Sequence, residues 1–306
     1  MQKAHHRPSK RTVCAYCKKK IRWSAELRRL GSRGRLFVCK KCHERLAPPA
    51  DVVYAPIVDR QPGTRPEIRP TIAVVIPTYN RCRSLVRTLM ALSRQTLVPG
   101  EVVVVDDGSQ DETIAAVNSL AERGLPFPVR LVRQRQNRGP ASARNRGVAI
   151  AGGVIVAFTD DDCEPAPDWL GQVLSTFEAD PAVVGAGGTV RSAGDSPFDL
   201  FFDHFQLLDP RLRDRGGAPM YLVTANAAYR REWILKVGGF DEALRKAGGE
   251  DPGLAFKIRS AGGQIAFNPR AVVFHHYPRT LRSLGRMFWN YGYGGNYVAR
   301  AHPVYD

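Results

Sequence analysis

The sequence predicts an α/β chain, with a mostly parallel β-sheet covered by helices on both faces and a small metal-binding module ahead of it. From Thr71 onward, apolar runs of strand length alternate with segments of helical periodicity, and clusters of polar residues follow several of those runs directly. The N-terminal module rests on a third observation, the paired spacing of four cysteines.

Ile72 to Ile76 is a continuous apolar run ending at Pro77, and Leu85, Leu89 and Leu92 then recur at helical spacing. Val102 to Val105 reads as a second buried strand. Ser109 and Glu112 have the pattern of a capping box, with Ile114, Val117 and Ala121 on the face of the helix that follows. Val129 to Val132 is a third strand and Ala141 to Ala151 a third helix. Val154 to Phe158 is a fourth strand that runs into Thr159-Asp160-Asp161-Asp162. Between Ser192 and Gly217 the periodicity is lost, and Phe198, Leu200, Phe201, Phe202 and Phe205 crowd a stretch that reads as a mobile flap. Leu254 and Ile258 mark one face of a helix whose first turn holds Pro252. Ala271 to Phe274 forms a short apolar strand before His275 and His276.

Composition divides the chain into a basic module at residues 1–46, a linker at 47–70 holding six prolines, a main domain at 71–278 and a tail at 279–306. Of the formal net charge of +16, +13 lies in residues 1–50, where 15 Lys and Arg face Glu26 and Glu44. The main domain is nearly balanced. No apolar run reaches the ~18 residues of a membrane span, and the N-terminus carries basic residues where a signal peptide would be apolar. The expectation is a cytoplasmic protein whose six cysteines are thiols or metal ligands rather than disulfides.

Cys14-x-x-Cys17 and Cys39-x-x-Cys42, separated by 21 residues, have the spacing of a four-thiolate zinc ribbon, with Zn2+ supplying folding free energy to a polar segment. Redox-active pairs are the minority reading, and His43 a lesser ligand candidate. The +13 surface suits an anionic membrane or an acidic partner protein. Nucleic acid ranks below both, because Tyr16, Trp23 and Phe37 make no stacking series. Cys82 and Cys163 read as ordinary packed thiols.

In open parallel sheets, ligands bind beyond the carboxyl ends of the strands. The polar clusters fall there: Thr78-Tyr79-Asn80, Asp106-Asp107-Gly108-Ser109 and Asp160-Asp161-Asp162. No GxGxxG or GxxxxGK[ST] cradle is present, so a bound diphosphate needs another counter-charge. Carboxylates holding Mg2+ or Mn2+ supply one, since hard cations prefer oxygen ligands and keep positions open for phosphate.

Six blocks then recur in a fixed order. They are Val74-Val75-Ile76-Pro77-Thr78-Tyr79-Asn80-Arg81, Val105-Asp106-Asp107-Gly108-Ser109, Asn137-Arg138-Gly139 with Ala143-Arg144-Asn145, Thr159-Asp160-Asp161-Asp162, Gly238-Gly239-Phe240-Asp241, and Gly249-Glu250-Asp251 with Arg259. The ordered set resembles the family 2 glycosyltransferases of GT-A fold, over about residues 72 to 278.

The resemblance implies a donor site in which Pro77, Thr78 and Asp107 hold base and ribose, with Asn80 and Arg144 as further candidates. Asn80 reads equally as a helix N-cap. Asp160 resembles the residue touching ribose or sugar, Asp161 one that orients its neighbours, and Asp162 the direct metal ligand. Asp251 resembles the catalytic base, although with Glu250 it also suits the positive end of a helix. His275 is chosen from the family pattern as completing the metal site, with His276 a close second because successive strand side chains face opposite ways.

The implied reaction is an inverting transfer from a nucleotide-diphosphate sugar, UDP-linked by preference, to a hydroxyl acceptor such as a glycan or lipid-linked glycan of the cell envelope. A nucleotidyltransferase would want a Gly-rich, basic loop after the first strand, which Pro77-Thr78-Tyr79-Asn80 does not offer. An idle nucleotide-binding adaptor, with the zinc head recruiting a partner, is the other rival, and intact Asp160, Asp162 and Asp251 weigh against it. Donor and acceptor specificity is expected from the Ser192 to Gly217 stretch and from Thr224-Ala225-Asn226. Beyond Pro278, Leu281, Leu284, Met287, Phe288 and Tyr291 recur between Arg279, Arg282 and Arg286. This stripe fits a helix lying peripherally on the inner membrane face or one packed on the main domain.

Overall fold

Along residues 72–76 the side chains alternate between two cores: Ile72, Val74 and Ile76 enter one, Ala73 and Val75 the other. A strand so buried on both faces must lie in the middle of a covered sheet. The computed structural model describes residues 27–30, 36–39, 71–208, 216–277 and 280–301 of the chain. Cys14, Cys17, Cys42 and the linker at 47–70 lie outside the described residues. An antiparallel pair, β1 (Leu27–Leu30) and β2 (Leu36–Cys39), ends at Cys39.

The main sheet has eight strands: β3 (Ile72–Thr78), β4 (Glu101–Asp106), β5 (Val129–Arg133), β6 (Ile155–Phe158), β7 (Cys163–Pro165), β8 (Val183–Ser192), β9 (Ala227–Arg230) and β10 (Gln264–His275). Their order is β5-β4-β3-β6-β9-β8-β10-β7. Strands β5, β4, β3 and β6 run parallel, β8 pairs parallel with β10, and β9 and β7 pair antiparallel with their neighbours.

On one face lie α1 (Cys82–Leu92), α2 (Thr113–Glu122), α4 (Trp169–Ala179) and α5 (Pro197–Phe205), joined by part of α8 (Leu281–Ala301). On the other lie α3 (Pro140–Ile150), α6 (Arg231–Lys236) and α7 (Glu250–Ser260). Both faces are therefore covered, as the sequence predicts.

Three local expectations are corrected. Ser109 and Glu112 form no capping box: the Ser109 hydroxyl accepts from the Asn80 amide at 2.8 Å, and α2 starts at Thr113, where Asp111 takes the Thr113 hydroxyl and amide. Asn80 is not an N-cap either, since Arg81 holds that position without a side-chain bond. Asn80 instead adopts φ 53° and accepts from the Gln110 amide at 2.7 Å, tying the loops after β3 and β4 together.

The Phe-rich stretch contains α5 where a flap was expected. Ser196 and Asp199 close its capping box around Pro197, and Phe202 is buried under the sheet. Residues 209–215 of the stretch lie outside the described residues. Strand β8 gave little strand signal because of its glycines, yet at Gly188 a Cβ would stand 2.0 Å from the Ala271 carbonyl of β10.

Candidate active site

The carboxyl ends of β3, β4 and β6 open into a cavity of about 750 Å³ lined by Pro77, Thr78, Asp107, Arg144 and Asp160 to Asp162. The pairing of β7 with β10 sets His275 opposite Cys163, one residue beyond Asp162. The His276 amide donates to the Asp162 carbonyl at 2.9 Å, which locks the two segments together. Residues more than a hundred positions apart in sequence thus share one strand end.

The two histidines diverge as strand geometry requires. His275 Nε2 lies 3.4 Å from Asp162 Oδ1, whereas His276 Nε2 lies 2.6 Å from Glu164 Oε1. His275 therefore faces the aspartate cluster and His276 faces away from Asp162.

The three aspartates have different partners. Asp160 receives Arg144 Nη2 at 2.7 Å. Asp161 is buried, accepts from the Thr78 hydroxyl at 2.7 Å and pairs with Arg81 at 3.1 Å. Burial, reinforced by the charge of Asp162, pushes the Asp161 carboxyl up to about 7. Asp162 makes a very short contact with Arg81. Burial opposes its ionisation, yet His275 and Arg81 outweigh that and hold its carboxyl below the ordinary range.

Asp107 is also buried, and burial raises its carboxyl. It accepts from Gln134 Nε2 at 2.6 Å and from the Arg138 and Gly139 amides at 2.8 Å, so it fixes the turn that starts α3. Asn80, exposed, does not line the cavity.

Arg144 links the donor side to the start of α7. Its Nη1 lies 3.0 Å from Glu250 Oε1 and 3.9 Å from Asp251 Oδ1. Burial disfavours the guanidinium charge, but Asp160, Asp251 and Glu250 together keep it protonated. Glu250 is buried and its other oxygen accepts the Gly248 amide at 2.6 Å. Asp251 is half-buried and accepts from the Thr224 amide at 3.0 Å and hydroxyl at 2.7 Å. Burial, then the charge of Glu250, pushes the Asp251 carboxyl up to about 7, where a carboxylate can take a proton near neutral pH. Glu250, less exposed than Asp251 and closer to the Arg144 guanidinium, is the poorer proton acceptor.

Thr224-Ala225-Asn226 is thereby absorbed into support. Asn226 is buried, accepting from Trp169 Nε1 at 2.8 Å and donating to the Thr189 and Ala271 carbonyls. Its side chain holds the sheet and is not free to choose an acceptor.

The residues fit a divalent cation on two counts. Asp162 Oδ1 and His275 Nδ1 are buried without a hydrogen-bond partner, and Asp160, Asp162, Cys163 and His275 each bring a ligand atom within 4.8 Å of the others. Burial raises the Cys163 thiol well above its ordinary value, and hard cations favour oxygen donors, so Asp160, Asp162 and His275 form the chemically matched set.

Several cavity residues escaped the sequence reading. Arg81 is adjacent to the recognised Asn80, and its place beside Asp161 and Asp162, some 80 positions away, exists only in the fold. Arg245, Lys246 and, from α8, Ser283, Arg286, Met287, Asn290 and Tyr291 also line the cavity. Met287 and Tyr291 looked like a packing stripe, and nothing local shows that the same stripe closes a site. Gly294 lets α8 approach: a Cβ there would stand 1.7 Å from the Gly248 carbonyl, in the loop just ahead of Glu250 and Asp251.

A family profile described as glycosyl transferase family 2 matches residues 73–238, more than half of the chain. The chain belongs to glycosyl transferase family 2. The chain is 30% identical over 289 residues to the pre-mycofactocin glycosyltransferase of Mycobacterium tuberculosis, a match covering 92% of this chain and 58% of that protein. It is 32% identical to the validoxylamine A glucosyltransferase of Streptomyces hygroscopicus over 66% of this chain and 50% of that one. The chain thus spans between half and two thirds of the length of these curated relatives.

Among solved structures, this family 2 chain resembles the mannosyltransferase PcManGT of Pyrobaculum calidifontis in complex with GDP-Man and Mn2+. The TM-score is 0.57 and the identity 28%, over 81% of this chain and 66% of that one. S. aureus TarS in complex with UDP-GlcNAc shares the GT-A fold at TM-score 0.56 and 20% identity, over 70% of this chain and 60% of that one. Arg245, Lys246, His275 and the α8 residues that line the cavity lie beyond the profile match, as does Asp251, which does not line the cavity itself but stands behind Arg144, 3.9 Å from its Nη1.

Proposed function

We propose that this family 2 enzyme is a metal-dependent, inverting glycosyltransferase that moves a sugar from a nucleoside-diphosphate donor to a hydroxyl acceptor, a glycan or lipid-linked glycan. The carrying observation is the Arg144 bridge, which sets the Asp160 to Asp162 cluster and Asp251 on either side of one buried guanidinium. The donor nucleoside is uridine or guanosine; the mannosyltransferase bound to GDP-Man keeps guanosine beside the UDP preferred from the sequence.

Asp160, Asp162 and His275 hold Mn2+ or Mg2+, which supplies positive charge against the diphosphate. Thr78 and Asp107 shape the donor pocket, and Arg81 adds cationic charge at its edge. Asp251 accepts the acceptor's hydroxyl proton as that oxygen forms the new bond to the anomeric carbon. The bond from that carbon to the β-phosphate oxygen breaks, its electron pair leaving with the nucleoside diphosphate. One in-line displacement inverts the anomeric configuration. Residues 71–278, with α8 completing the cavity wall, form the catalytic unit, and residues 1–46, through Cys14, Cys17, Cys39 and Cys42, a zinc-binding appendage.

Donor hydrolysis measured with UDP-sugars and GDP-mannose, with Mn2+ and then with EDTA, tests this reading. Release of nucleoside diphosphate that EDTA abolishes supports it. Absence of release from any donor, or release indifferent to EDTA, overturns it.

A further inference from the structure

Helix α8 has two apolar faces where the sequence suggested one. Leu284, Met287 and Tyr291 pack onto the core, while Leu281, Trp289 and Tyr293 on the outer side are 78%, 74% and 63% exposed. Phe288 extends this outer surface to α5, its ring 6.5 Å from that of Phe201, which itself lies 4.8 Å from Phe205. The patch is thus continuous across two helices and flanks the wall of the cavity.

Its charge is one-sided. Arg282 and Arg300 stand on the exposed side of α8, and residues 281–301 contain no Asp or Glu. On α5, Asp199 is buried in the capping box and Asp203 accepts the Ser192 amide at 2.8 Å. Asp203 is the one exposed acid on α5, against Arg282 and Arg300 on α8.

We propose that the outer face of α8, with the adjoining end of α5, docks on an anionic lipid surface. Trp and Tyr favour the water–lipid boundary, where their rings are buried and their polar edges hydrated, and arginine meets lipid phosphate. The side chains also protrude. A second protein must offer a matching pocket for each of them, whereas lipid moulds around them. Among the described residues no helix is long and apolar enough to cross a membrane, so contact through this face is superficial. Docking would bring the cavity mouth to the surface where a lipid-linked acceptor resides, and this inference stands apart from the transfer chemistry proposed above.

The test is sedimentation of the full chain with vesicles of phosphatidylcholine, alone or mixed with phosphatidylglycerol, at low and high salt. It is run for wild type and for a double variant, Leu281→Ser with Trp289→Ser. The basic N-terminal segment adds attraction that salt removes, so the apolar contribution is read at high salt. Wild type should partition onto the mixed vesicles with a blue shift in tryptophan emission. The double variant should lose the shift and about tenfold or more of the high-salt partitioning, with its melting temperature and donor hydrolysis unchanged. Arg282→Glu should weaken low-salt binding to the mixed vesicles by about fivefold or more. Equal partitioning of wild type and double variant overturns the proposal. So does a patch that light scattering shows to hold two copies of the chain together without any lipid effect.

Discussion

Arg144 Nη2 lies 2.7 Å from Asp160 Oδ1, although the sequence places Arg144 within its third helix and Asp160 at the end of its fourth strand. The same guanidinium reaches Glu250 at 3.0 Å, so one cation holds the metal-side and base-side acids in register. Arg144→Met should leave three carboxylates without their shared counter-charge. Because the guanidinium is buried, the expected loss is on the order of 3–5 kcal/mol of stability, measured by urea unfolding. Lysine should rescue only in part, since one ammonium cannot match the fork that spans Asp160 and Glu250.

Asp251→Asn keeps a hydrogen-bond acceptor for Thr224 but removes the proton-accepting charge. Turnover should fall by about 10²- to 10⁴-fold, while calorimetry should find donor affinity nearly unchanged. Ordinary turnover in the variant would remove Asp251 from the role of base.

The pH profile carries a sign. Burial and Glu250 raise the Asp251 carboxyl to about 7, so below that pH the base is protonated and idle. The rate of transfer at saturating donor should rise as pH increases through about 7 and then level. A rate already flat from pH 5 upward would mean that another group accepts the proton, or none does.

Gly294→Ala probes the contact between α8 and the loop ahead of the base. The added methyl meets the Gly248 carbonyl at 1.7 Å, so helix or loop must shift. Overpacking of this kind costs about 1–3 kcal/mol, and the displaced base should lower kcat by about tenfold or more with little change in donor KM. Steady-state kinetics on the folded variant separate the two parameters.

His275 and His276 offer an internal control. His275→Ala should weaken Mn2+ activation, whereas His276→Ala, which severs the contact with Glu164, should alter it little. Titration of activity with Mn2+ compares them, and equal effects would argue against His275 as a ligand.

Much of the sheet was legible because its central strands are buried on both faces: Val102 to Val105 has no polar interruption to misread. What escaped depends on contacts at long range. Strand β8 hides behind glycines that Tyr229, Leu222 and Ala271 require, and α5 behind phenylalanines whose spacing was masked by the surrounding breakers. At the site, Asp160, Asp162 and Asp251 were named through the ordered set of blocks, since a short run of aspartates, or an acid at the start of a helix, says little by itself. Thr224 could not be assigned, because its task of holding Asp251 exists only once the short 3-10 turn Thr224–Asn226 meets α7. Tyr291 was visible as an apolar stripe, but only the fold places it beside Asp160 and Arg144 in one cavity.

The most direct measurement is anomalous scattering from a crystal grown with Mn2+ and UDP, and in parallel with Mn2+ and GDP. A manganese peak bound by Asp162 and His275, with a diphosphate against it, is the expected result in at least one of the two. A fully occupied nucleotide with no manganese at those side chains, or manganese bound elsewhere in the chain, would contradict the account.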